Sequence, residues 1–197
     1  MAQTKRNGTK RRTGDESKKR ILDAAGEVFA EHGYARTTIR EVARRAGISI
    51  GGIYIYFRNK EELYTGLMRE QMDAFSDHTG SLGDQEPLAA LKSVIDSYME
   101  YAAQRTKMLS TNIKEYDLAL KKPLKKAFFK SQKQLIKDIL QRGMKQGKLK
   151  KIDCDETADV VLFCIRGAML AYLSGEIKTL KKHGEGLYEV ILNGIRR

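Results

Sequence analysis

The chain is poor in proline and cysteine and has no long apolar run, and each shortage removes a class of answer. Two prolines among 197 residues, with no alternating β-branched segments between turn signals, exclude a sandwich or barrel, which needs a turn every ~8–12 residues. The longest apolar stretch, Val160 to Ile165, is closed by Arg166, far short of the ~18 residues that carry a helix through a bilayer. The beginning of the chain is polar and basic and lacks the apolar segment of a secretion signal, so no membrane partner and a cytoplasmic location are expected. Cys154 and Cys164 have no CxxC spacing and no histidine cluster beside them. Neither a zinc site nor a disulfide framework is expected, and both thiols are read as buried or half-buried. No metal and no cofactor is implied.

What remains is the composition of a globular protein, 41% hydrophobic and 31% charged. Its net charge of +12 is unevenly spread: residues 1–60 carry +8, residues 61–103 carry −7, residues 104–151 carry +12 and the rest carry −1. A basic end followed by an acidic stretch suggests that one part of the molecule faces a polyanion, with nucleic acid the first candidate.

Apolar periodicity predicts an all-α chain of about nine helices. Residues 1–15 hold Lys5, Arg6, Lys10, Arg11 and Arg12 with little to bury and are read as a mobile basic arm. A first helix is expected from Ser17 to Gly33, on Ile21, Ala24, Ala25, Val28 and Phe29. Thr38 and Glu41 have the spacing of a capping box, and Gly47 stops the second helix. Ser49 caps a short segment, Ile50 to Phe57, and Asn59 caps a fourth helix predicted over Lys60 to His78, followed by a loop over 79–86. Further helices are expected from Pro87, over Arg105 to Asn112, from Pro123 to about Gly147, over 155–175 and over 184–196.

Two short helices around a glycine-containing turn form a helix-turn-helix pattern at about 38–57, which presents its second helix to the major groove. Glycines there permit close backbone approach, Tyr54 and Tyr56 offer donors or thymine-methyl contacts, and Thr38 and Lys60 stand at helix N-termini suited to phosphate. Arg40, Arg44 and Arg45 are read either as phosphate contacts or as a solvated face. The segment GYARTTIREVARRAGISIGGIYIYFRNKEEL, residues 33–63, closely resembles the DNA-binding domain of the TetR family of bacterial transcriptional regulators, and the likeness extends over residues 17 to about 77. The resemblance implies an N-terminal three-helix DNA-binding domain over 16–60 and a larger helical ligand-binding and dimerisation domain over 61–197. By position it places Thr38, Ser49, Gly51, Gly52, Tyr54, Tyr56 and Lys60 against DNA. It implies a repressor released from a palindromic operator on double-stranded DNA by a small-molecule effector. Activation instead of repression, or a helical adaptor that binds no DNA, stays open.

The segment Ala158 to Leu173 carries only Asp159 and Arg166 as charges, and so calls for burial on two sides. A homodimer through residues 155–175 and 184–196 is expected, with a wholly intramolecular core as the alternative. The basic stretch around Lys121, Lys122, Lys125, Lys126, Lys130 and Lys133 beside Phe128 suggests an acyl-CoA or other amphipathic effector, or else a solvated face. Tyr98, Tyr101, Asn112, Tyr116, Phe128 and Arg166 are the candidate pocket residues. No nucleophile with a base, carboxylate pair or phosphate loop stands out, and His32, His78 and His183 are scattered, so an enzyme is not expected.

Overall fold

The computed structural model describes the backbone of residues 4–104 and 122–195, and the side chains of residues 14–104 and 123–195. Eight helices occupy the described residues: α1 Thr4–Arg36, α2 Ile39–Ala46, α3 Ile50–Tyr54, α4 Lys60–Leu82, α5 Pro87–Gln104, α6 Lys122–Lys145, α7 Cys154–Leu173 and α8 Leu180–Ile195. No strand occurs among them, in keeping with the all-α expectation. The short helix anticipated over 105–112 lies outside the described residues.

Local chemistry sets most of the boundaries. Gly33 interrupts the last turns of α1 at φ 76°, ψ 169°, a left-handed value that glycine adopts at no steric cost. At α2 the Thr38 Oγ1 accepts the Glu41 amide at 3.2 Å, and Gly47 closes the C-terminus at φ 63°. Ser49 Oγ accepts the Gly52 amide at 3.0 Å. Asn59 Oδ1 accepts the Glu62 amide at 2.8 Å, while the Glu62 carboxylate accepts the Arg58 amide. Each pairing satisfies donors that a helix start leaves unmet.

Several boundaries differ from expectation, among them α3, which ends at Tyr54 short of Phe57, and α8, which begins at Leu180 ahead of residue 184. Helix α1 begins at Thr4 and passes through Ser17 instead of starting there, so the backbone of the anticipated arm is helical from its fourth residue. Lysine and arginine are good helix formers, and the packed turns downstream already supply the costly nucleus. Helix α4 continues to Leu82, through the first part of the anticipated loop. Thr79 is buried there and its hydroxyl donates to the Phe75 carbonyl at 2.9 Å.

The described residues form two compact units, dividing at Glu70 and Gln71 inside α4. That is ten residues beyond the anticipated boundary at 60, because Leu63, Tyr64, Leu67 and Met68 of α4 are buried with the first unit. In this unit Ile21, Ala25, Val28 and Phe29 of α1, Val42, Ala43 and Ala46 of α2, and Ile53 and Phe57 are buried. Tyr64 meets Phe29 edge-on, with ring centroids 5.0 Å apart and planes at 84°. In the second unit α5 is the central helix, burying Leu91, Val94, Ile95, Tyr98 and Met99 against α6, α7 and α8. One face of α7 buries Ala158, Val161, Leu162 and Ile165, whereas Val160, Phe163 and Leu170 stand exposed. Cys154 is buried as expected, but Cys164 is exposed, because it follows Phe163 on that uncovered face.

Candidate functional site: a nucleic-acid interface and a ligand cavity

At about 100° per residue along a helix, Ile50, Tyr54, Gly51 and Ile55 make one continuous face of α3 and the turn that follows it. All four are exposed, while Ile53 is fully buried. The Thr38 and Ser49 oxygens act as cap acceptors, which leaves each hydroxyl hydrogen available to an outside acceptor such as a phosphate oxygen. Arg40 and Arg44 of α2 are exposed. Tyr56 is half-buried, with its hydroxyl 3.8 Å from where a Cβ on Gly14 of α1 would lie.

Two of the anticipated DNA contacts are engaged within the protein. Lys60 Nζ donates to the carbonyls of Tyr34 and Ala35 at 2.8 and 3.2 Å and lies 4.5 Å from the Tyr34 ring centroid. It therefore ties the start of α4 to the end of α1 and keeps one of its three donors for another acceptor. Arg45 pairs with Glu31 at 2.7 Å and Glu27 at 2.9 Å. The hydrogen bonds that it donates to Glu31 first, then to Glu27, raise the pKa of its guanidinium. Arg45 is thus a brace between α2 and α1.

The neighbouring glycines serve different purposes. A Cβ on Gly52 would stand 2.5 Å from Ile48 Cγ2, closer than atoms approach without displacement, whereas one on Gly51 would have as its nearest neighbour the Ser49 Oγ at 4.0 Å. Among the described residues nothing requires glycine at 51. Gly51→Ala is expected to leave the thermal midpoint within about 2 °C or raise it, since alanine favours a helix by roughly 0.5–1 kcal/mol, while weakening DNA binding. Gly52→Ala is expected to destabilise. Differential scanning fluorimetry beside a DNA titration separates the two; equal melting losses would contradict the distinction.

In the second unit the anticipated pocket residues converge only in part. Phe75 of α4 stands at the centre of an aromatic cluster, with ring centroids 4.7 Å from Tyr98, 5.1 Å from Tyr101 and 6.0 Å from Phe128. Tyr98 is 3% exposed, and its hydroxyl donates to Gln132 Oε1 at 3.2 Å. Burial pushes its phenol pKa up, so it stays neutral. Gln132 Nε2 in turn donates to Ser76 Oγ at 3.2 Å. Tyr101 lines a cavity of about 280 Å³ together with Gln71, Phe75, His78, Ser97 and Glu100. Arg166 is apart from that cavity, with its guanidinium 4.6 Å from the Phe129 ring centroid. Asn112 and Tyr116 lie outside the described residues. A second cavity of about 540 Å³ lies among Met99, Tyr172, Leu180 and the charged Lys92, Asp96 and Lys178, and none of the anticipated residues lines it. Phe75 falls inside the helix predicted over Lys60 to His78, and Gln71, His78, Ser97 and Glu100 are not among the residues expected at a pocket. The available signal was the seven-residue spacing of Gln71 and His78 on α4, and of Ser97 and Gln104 on α5.

Part of the basic stretch is neutralised inside the unit. Lys133 pairs with Asp155 and Asp159, both at 2.7 Å, Lys137 with Asp155 at 3.0 Å and Lys148 with Glu86 at 2.6 Å. The Lys133 and then the Lys137 hydrogen bonds hold Asp155 below the usual carboxylate range. Lys126 and Lys130 remain exposed. Among the described residues no group of His, Cys, Asp and Glu could hold a metal ion, and no helix is long and apolar enough to cross a membrane.

The profile of the bacterial regulatory proteins of the tetR family matches residues 21–67, which includes α2 and α3 with their caps. The uncharacterized HTH-type transcriptional regulator YhgD of Bacillus subtilis (strain 168) is 31% identical over 150 residues, covering 74% of this chain and 78% of that protein. The chain belongs to the TetR family. This TetR-family regulator is also 29% identical over 136 residues to the fatty acid metabolism regulator protein of Bacillus subtilis (strain 168), covering 66% of the chain and 70% of that relative. Its fold matches the transcriptional regulator FadR from Bacillus subtilis, solved in complex with stearoyl-CoA, at a TM-score of 0.74 and 24% identity over 90% of this chain and 98% of that one.

Proposed function

We propose that this regulator is a cytoplasmic homodimeric repressor, without catalytic activity, that holds a palindromic operator and releases it when an amphipathic effector enters the second unit. The observation that carries the reading is the outward face of α3. It bears exposed side chains beside two hydroxyls whose hydrogens are free to donate, on an element anchored from beneath by the buried Ile53. Thr38, Arg40 and the remaining donor of Lys60 would hold phosphates, which set register. Ser49, Gly51, Tyr54 and Tyr56 would approach the bases, with Gly52 keeping α3 in shape. Dimerisation through α7 and α8 would present two such faces to one duplex.

The effector reading draws on the aromatic cluster around Phe75, the cavity that Tyr101 lines and the exposed Lys126 and Lys130. A long-chain acyl-CoA has the matching chemistry, an apolar chain with phosphates, and the likeness to a fatty acid metabolism regulator and to a regulator solved with stearoyl-CoA supports it. Release requires that the effector bind the DNA-free state more tightly than the DNA-bound one.

The test is fluorescence anisotropy with the full-length protein and duplexes from the DNA flanking its own coding region, with and without stearoyl-CoA. A specific complex is expected that stearoyl-CoA dissociates. Tyr54→Ala should cost at least tenfold in affinity while the circular dichroism spectrum is unchanged. Binding that ignores sequence and survives Tyr54→Ala would refute the reading.

A further inference from the structure

Across Ser49 to Phe57 there is no arginine, lysine, asparagine, glutamine, aspartate or glutamate. Those are the side chains that recognise guanine, adenine or cytosine by hydrogen bonds to base edges in the major groove. The outward face of α3 instead carries Ile50 at 39% exposure, Tyr54 at 52% and Ile55 at 79%. Large aliphatic side chains left in water on a segment this short lose hydrophobic stabilisation unless something covers them. Ile50 and Ile55 lie at opposite margins of the face, with Gly51 and Tyr54 between them, and among the described residues the nearest atom to a Cβ at Gly51 is the Ser49 Oγ at 4.0 Å. The exposed Arg40 and Arg44 on α2 give the surroundings positive charge, which suits a phosphate-walled groove better than an apolar protein surface. Within the major groove one base alone presents an aliphatic group, the C5-methyl of thymine.

We propose that Ile50 and Ile55 are the specificity-determining residues of this regulator, and that they read thymine C5-methyl groups on either side of the gap at Gly51. The recognition face therefore selects operator half-sites by apolar contact with thymine, with hydroxyls of Ser49 and Tyr54 supplying register. This rests on the proposed reading that α3 enters the major groove. Exclusion of water from one methyl group is enough to change affinity severalfold, and a palindrome presents every contact twice.

The experiment begins with the full-length protein selecting duplexes from a randomised library. Each half-site thymine is then replaced, symmetrically and one position at a time, by deoxyuridine, which removes the methyl and keeps every hydrogen-bonding group. Affinity is expected to fall by about three- to fivefold per methyl, hence roughly tenfold or more for the symmetric pair, at one or two positions only. In Ile55→Ala one of those positions should become insensitive to the replacement, and in Ile50→Ala the other. Both side chains are exposed, so folding should be unaffected, which circular dichroism checks. A selected operator whose affinity ignores deoxyuridine at every half-site position would overturn the proposal and assign selectivity to hydroxyl contacts or duplex shape. The same holds if sensitivity persists unchanged in both variants. Failure to select any sequence at all would instead defeat the reading of α3 as a DNA-recognition helix.

Discussion

Phe163→Glu combined with Val190→Glu is expected to convert the proposed dimer into a folded monomer and to lower operator affinity by about two orders of magnitude or more. The two side chains are 61% and 73% exposed within the chain, so charging them removes nothing from the intramolecular core. On α7, Val160, Phe163, Gly167 and Leu170 follow at intervals of three and four, the spacing of one helix face. Among the described residues a Cβ on Gly167 would meet nothing within 4 Å, which leaves room for a second helix to approach. Two copies of that face would bury the exposed valine, phenylalanine and leucine together, whereas four carboxylates forced into one apolar interface carry a desolvation penalty that association cannot offset. The large loss on DNA follows from linkage of two binding modules, where the second half-site is engaged at an effective concentration and can gain ~10²–10⁴ over a single module. Sedimentation velocity and anisotropy on the same samples decide it. A double variant that still sediments as a dimer would move the interface elsewhere.

Phe57→Ala should have the largest effect on stability, about 3–5 kcal/mol for deletion of a buried phenylalanine. The ring is 4% exposed, and its Cε1 lies 2.8 Å from where a Cβ on Gly66 would stand. Glycine in the middle of α4 costs helix stability by ~1 kcal/mol against alanine, and here it makes room for that ring. Removing the ring empties a space that was shaped by a backbone, so relaxation cannot refill it. The first unit is of a size at which ~1 kcal/mol shifts the midpoint by ~4–8 °C, so a fall of more than about 10 °C is expected by differential scanning calorimetry, with specific DNA binding lost at 37 °C. Ile55→Ala, on the surface, is the control and should shift the midpoint by under about 2 °C, because exposed substitutions stay within ~0.5 kcal/mol. Equal shifts in the two variants would contradict the packing described here.

Much of the first unit was legible beforehand because its signals act over three or four residues. Thr38 with Glu41, Ser49 with Gly52, and Asn59 with Glu62 are bonds between near neighbours. The glycines expected to end helices at 33, 47 and 147 all have positive φ. Periodicity likewise located the stripe that became core, from Ile21 to Phe29. The site was less legible because its side chains choose among distant partners. Arg45, read either as a phosphate contact or as a solvated face, took Glu27 and Glu31, eighteen and fourteen residues away. Lys60, expected at DNA, reached back to Tyr34 and Ala35. Lys133, counted toward an effector, is shared between Asp155 and Asp159. The place of Phe75 at the centre of the aromatic cluster depends on α5 and α6.

The sequence by itself determined that this chain is helical, where most helices begin and end, and that residues 38–57 carry a helix-turn-helix pattern within a segment, 33–63, that resembles the TetR family. Capping, left-handed glycines and the 3.6-residue period are local, so they can be read along a line. Only the tertiary structure decided which cations remain available to a polyanion, that Gly52 serves packing while Gly51 faces outward, and that α7 buries one face and leaves Val160, Phe163 and Leu170 uncovered. The reason is that charge pairing, close packing and burial are settled between groups far apart in the chain. Spacing states which residues share a face and is silent on what that face meets.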